Sequence, residues 1–179
     1  MLSIESTGLV LIDVQGKLAH MMPNKEALFK NLHIMINAAK ILNLPIFWAE
    51  QLPHKLGATI PELSELLEGY QAISKSCFSC AKQPGLQEAL SKSGCKQLLV
   101  MGMEAHICVT QSTLELLDAG YEVHLVSDAI AARNPENKSV ALSRCTSAGG
   151  ILSCSEMALF ELMRDASHEK FKAVQQLIK

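Results

Sequence analysis

The stretch Gln97-Leu98-Leu99-Val100-Met101-Gly102-Met103-Glu104-Ala105-His106-Ile107-Cys108-Val109-Thr110 decides the reading of the whole chain. Its first half is a continuous apolar run, the pattern of a strand buried on both faces, and the run stops at a glycine. Cys108 then opens an amphipathic segment that continues to Ala119 and is stopped by Gly120. Strand, turn and helix make the corner where open α/β sheets build their sites, outside the carboxyl end of a parallel strand. Backbone N–H groups and the positive end of a helix dipole favour thiolate over thiol. Cys108 is therefore a candidate nucleophile with an expected low pKa.

Working outward, strands are expected over residues 9–12, 46–49, 72–75, 98–101, 122–126 and 149–152. Helices are expected over 28–42, 84–92, 108–119 and 138–147, with others starting near Ile60-Pro61 and at Ser155. Residues 50–57 read as a polar loop broken by proline and glycine, and residues 159–177 as a helical tail. Strand and helix alternate throughout, which argues for an α/β fold: a parallel sheet with helices on both faces.

At 179 residues and 49% hydrophobic, the chain is long enough for one domain, residues 1–179, with a substantial core. Its net charge of -2, with both signs interspersed, offers no basic stripe to nucleic acid and no polybasic surface to a membrane. The N-terminus lacks the pattern of a signal peptide and no apolar run reaches membrane-spanning length, so the expected location is cytoplasmic. Six cysteines in that setting are expected to stay reduced. Cys77 and Cys80 have C-x-x-C spacing, but no second pair or paired histidines complete a zinc site, and no thioredoxin-like pattern follows.

Asp13 and Lys75 each end a strand-like run, as the turn before Cys108 does. Alone, Asp13 reads as well as a helix cap and Lys75 as a solvated strand end. In a parallel sheet, however, carboxyl-end residues of neighbouring strands face one crevice. A thiol supplied with a carboxylate to take its proton and an ammonium to balance the anion is an activated nucleophile.

Leu11-Ile12-Asp13-Val14-Gln15, Ser74-Lys75 and Gly102-Met103-Glu104-Ala105-His106-Ile107-Cys108-Val109 resemble, in order and separation, three motifs of the isochorismatase-like cysteine hydrolases. Ala49-Glu50-Gln51-Leu52-Pro53 with Leu56-Gly57, Ser127-Asp128-Ala129 with Arg133, and the run from Ser155 to Leu162 are similar to the isochorismatase domain-containing subgroup. The resemblance covers essentially the whole chain. It implies a three-layer α/β/α fold with a six-stranded, mostly parallel, Rossmann-like sheet, and a homo-oligomer. It also implies Cys108 as nucleophile, Asp13 as general base and acid, and Lys75 as the cation that lowers the thiol pKa. A cis peptide between Met103 and Glu104 is implied too, with the N–H groups of Glu104 and Cys108 aimed at an oxyanion.

Relatives that hydrolyse nicotinamide carry an Asp-x-His plus His metal site after the second strand. Here the corresponding residues are Glu50-Gln51-Leu52-Pro53-His54, a weak ligand set, so no metal and no cofactor are expected. Relatives that cleave isochorismate generally lack the cysteine, so carbon–nitrogen hydrolysis of a small molecule is favoured, the alternative being a catalytically silent protein-interaction member of the same fold. Gln15, Glu50, Gln51, Ala105, His106 and Asp128 are the candidate pocket-lining residues. Trp48 is expected to pack in the core.

Overall fold

The computed structural model describes residues 1–179. Six strands, β1 (Thr7–Ile12), β2 (Ile46–Gln51), β3 (Ile73–Lys75), β4 (Gln97–Gly102), β5 (Glu122–Ile130) and β6 (Ile151–Ser153), form one sheet of order β3-β2-β1-β4-β5-β6. Every neighbouring pair is parallel. The helices are α1 (Gly16–His20), α2 (Lys25–Ile41), α3 (Pro53–Leu56), α4 (Pro61–Ser64), α5 (Pro84–Ser93), α6 (Thr110–Asp118), α7 (Pro135–Ser147), α8 (Ser155–Met163) and α9 (Phe171–Ile178).

The unbroken apolar runs of the central strands are explained by layers on both sides. Leu9, Leu11, Leu99 and Met101 point into a core shared with α2, α8 and α9, while Val10, Ile12, Leu98 and Val100 point into a core shared with α5, α6 and α7. Trp48 packs against the first of these cores and donates its indole N–H to Thr59 Oγ1 at 2.8 Å. No helix is long and apolar enough to cross a membrane.

Strand order places the site. From β1 the chain builds outward through β2 and β3, then crosses back to β4 on the other side of β1, so β1 and β4 flank the point where direction reverses. Crevices open at the carboxyl ends of such a pair. Ile12 lies opposite Gly102, and Asp13 and Met103 follow them directly.

Several elements differ from their sequence reading: α1 has no counterpart in it, and the one-turn helix α3 forms within residues 50–57, read as a loop. Helical winding begins at Ala105, not Cys108: residues Ala105–Val109 form a π-helical turn that runs into α6. The β5 strand continues to Ile130, because its register against β4 shifts between Val100 and Gly102. The tail is two helices, separated after Met163 where Arg164 takes a φ of 64°.

Candidate active site

Asp13 leaves β1 with a φ of 53°, in the left-handed region that aspartate tolerates better than most residues. Its N–H donates to Ala49 O at 3.1 Å, which ties the turn to β2. Its Oδ2 accepts from Lys75 Nζ at 2.6 Å. That ammonium is wholly enclosed, and it also donates to Gln51 Oε1 at 2.7 Å and to the carbonyl of Phe78 at 3.0 Å. A buried ammonium is tolerable only when paired and hydrogen-bonded in this way. Asp13 Oδ1, also buried, has no hydrogen-bond partner.

Asp13, Gln51, Glu104 and Cys108 line one cleft of about 280 Å³, with Leu56 and Phe78 exposed beside them. The peptide between Met103 and Glu104 is cis. The N–H of Glu104 donates to no backbone or side-chain acceptor, whereas those of Ala105 and Ile107 donate to Ala131 O and Glu104 O. The Glu104 side chain is buried under Arg133, whose backbone N–H and Nε donate to its two oxygens at 3.0 and 2.6 Å.

The electrostatics correct one expectation. Burial pushes the Cys108 thiol up to about 12, the Asp13 carboxylate adds to the rise, and the Lys75 ammonium only partly opposes both. Burial likewise holds the Asp13 carboxyl above its ordinary value, against the pull of Lys75. The physical reason is charge balance. Asp13 and Lys75 already neutralise each other, so a thiolate beside them would be a net buried anion, and the resting site keeps its thiol.

The other candidates separate. Gln15 lines the cleft, but its amide is engaged: Oε1 accepts from Gln51 N at 2.6 Å, and Nε2 donates to Gln51 O at 3.1 Å and Gly57 O at 2.6 Å. It fixes the path of the chain after β2. Glu50 accepts from Thr59 N at 2.6 Å and supports the same turn from outside the cleft, while His54 is exposed on α3. Ala105 is buried behind the cleft wall, and His106 is half-buried near Glu104 without lining the cleft.

Asp128 lies elsewhere. Because β5 runs on to Ile130, its carboxylate sits over the start of α8 and accepts from Ser155 N and Oγ at 2.8 and 2.9 Å. Asp128→Ala should cost about 1 kcal/mol of stability through the lost cap, seen as a Tm lower by a few degrees, and leave turnover unchanged. A large loss of activity with an unchanged Tm would place Asp128 back at the site. Arg133, noted in the sequence only as part of a motif, does reach the cleft. Its link to Glu104 spans 29 residues and has no local signature.

Residues 7–157 match the isochorismatase domain family. The human isochorismatase domain-containing protein 2 is 38% identical over 175 residues, which cover 97% of this chain and 83% of that protein. The MAR1 ribonuclease of Caenorhabditis elegans superposes with a TM-score of 0.93 at 34% identity, over 99% of this chain and 91% of that one. YcaC of Pseudomonas aeruginosa, solved with hexane-2,5-diol and covalent acrylamide, superposes at 0.92 with 25% identity, over 98% and 90% of the two chains. With the motif order, the all-parallel sheet and these similarities agreeing, the chain belongs to the isochorismatase family, whose fold supports a hydrolase role.

Proposed function

We propose that this protein is a cysteine-dependent hydrolase of a small amide, acting through a thioester on Cys108. The observation that carries the reading is the unpartnered Oδ1 of Asp13, in a cleft shared with Cys108, while Oδ2 is held by Lys75. A carboxylate so arranged is fixed in place and has one oxygen free for a proton.

In this mechanism the Cys108 sulfur attacks the amide carbon as Asp13 Oδ1 takes the thiol proton. The negative charge passes from Asp13 to the carbonyl oxygen, so the total charge of site and substrate is unchanged and Lys75 is left beside a neutral Asp13. The oxyanion is received by the Glu104 N–H, which has no acceptor of its own, together with that of Cys108. Asp13 then gives its proton to the leaving nitrogen and the C–N bond breaks. Water attacks the thioester as Asp13 takes a proton from it, and that proton returns to sulfur as the acid departs. Gln51 positions Lys75 and does not take part in bond changes. The covalent acrylamide in the Pseudomonas aeruginosa structure, an electrophilic amide, fits a site of this kind.

Phosphodiester cleavage, suggested by the name of the nematode relative, finds less support. Lys75 is enclosed and paired with Asp13, so Arg133 is the single cation on the cleft wall, and one cation makes no track for a phosphate backbone.

Labelling by acrylamide, read by mass spectrometry, tests the proposal. Cys77 and Cys154 are more exposed than Cys108, so a reagent without a carbonyl should modify them first. Acrylamide should reverse that order, because its carbonyl can occupy the oxyanion position. Equal order with both reagents, or no ammonia from any amide in a broad screen alongside RNA cleavage that Cys108→Ala abolishes, overturns it.

A further inference from the structure

Arg133 stands on the loop between β5 and α7 and lines the same cleft as Cys108. One side of its guanidinium is fixed, since Nε donates to Glu104 Oε1 at 2.6 Å and the backbone N–H to Oε2 at 3.0 Å. Neither Nη group has an acceptor in the protein, and the side chain is 52% exposed although its partner is buried at 4%. A guanidinium that only neutralised Glu104 would have no need of a place in the cleft wall. A half-anchored one presents its terminal N–H groups as a fork of set orientation, which suits a planar carboxylate.

The surrounding groups agree. Both Glu104 oxygens are occupied, and the single carboxylate oxygen of the cleft without a partner, Asp13 Oδ1, is the one set aside for the thiol proton. An incoming anion therefore meets an open cation at Arg133 and no open carboxylate beside it. Leu56 and Phe78 add exposed apolar surface to the same cleft, which suits the carbon chain of a small acid.

Building on the amide-hydrolase reading, we propose that Arg133 is a specificity residue that anchors a carboxylate of the substrate, so that the natural substrates are small amides carrying an acid group. Arg133 is then a binding residue at the far end of the molecule from the scissile bond.

Calorimetric titration of the Cys108→Ala protein separates binding from turnover. The probes are succinamate and glutaramate, and their neutral counterparts succinamide and glutaramide. At least one acid-amide should bind tenfold or more tighter than its diamide. Arg133→Gln in the same background should close the gap to less than about threefold, with diamide affinity unchanged. Arg133→Lys keeps a cation against Glu104 and guards against loss of the fold; it should narrow the gap while a melting curve stays cooperative. Equal affinities for acid and diamide, no binding of either acid-amide, or a gap that survives both substitutions overturns the anchor. A gap that follows Arg133, in a protein that releases no ammonia, instead counts against the hydrolase reading and leaves the anchor standing.

Discussion

Replacing Asp13 by Asn is expected to lower kcat/KM by at least about 10³-fold, and replacing Cys108 by Ala by at least about 10⁴-fold. The size of the first effect follows from the thiol. Burial and the neighbouring Asp13 carboxylate hold the Cys108 thiol well above its ordinary value, so the resting sulfur carries its proton at pH 7. The proton has to leave as the sulfur attacks, and Asp13 Oδ1 is the acceptor present. Asn keeps the shape, an acceptor for Lys75 and a tolerance for the left-handed backbone, but takes no proton. The double variant should be no worse than Cys108→Ala alone, because the two groups act as a unit.

The pH dependence has a definite sign. The working form holds Asp13 as carboxylate, so kcat/KM should rise with pH through the Asp13 pKa and level off above it. Burial raises that pKa, which places the acid limb above the ordinary carboxylate value of about 4. Lys75 pulls in the opposite direction, so Lys75→Met should move the limb further up as well as reduce the rate. An acid limb at the ordinary carboxylate value, or one that Lys75→Met shifts downward, would refute the charge assignment. Circular dichroism and a melting curve on each variant separate these effects from loss of the fold.

How much of this was legible in the sequence depended on whether the signal was local. The runs at Leu9 to Ile12 and Leu98 to Met101 announced doubly covered strands, since both faces must be apolar, and Asp13 and Gly102 marked their ends. Gln15 is a pocket candidate in the sequence and does line the cleft, but its bracing of the turn after β2 has no sequence signal, because its partners lie 36 and 42 residues away and a buried amide has no periodic pattern. Asp128 was misplaced for a different reason: the register shift carries β5 beyond the polar pair that looks like its end. The thiol was misjudged because a helix N-terminus is visible in sequence and burial beside a carboxylate is not.

Gly102→Ala should cost about 3 kcal/mol or more, lower Tm by about 10 °C, and inactivate whatever protein still folds. Gly102 takes a φ of 118°, and a Cβ there would lie 2.1 Å from Ile12 O and 2.8 Å from Ile12 N. Neither atom is a flexible tip. Both belong to the backbone of β1, held in the sheet by the neighbouring bonds from Met103 N to Ile12 O at 2.9 Å and from Ala131 N to Gly102 O at 3.1 Å. Relief therefore requires β1 and β4 to separate at their carboxyl ends. Asp13 follows Ile12 and Glu104 lies two residues beyond Gly102, so separation pulls the proton acceptor away from the oxyanion donor and the sulfur. Gly94→Ala is the control. Its φ of 72° is also left-handed, but nothing lies within 4 Å of the added carbon, so only the backbone preference of about 1 kcal/mol is lost and activity should persist. Matching small shifts in Tm for the two variants, with activity kept in both, would mean that the close approach of β1 and β4 does not hold the site together.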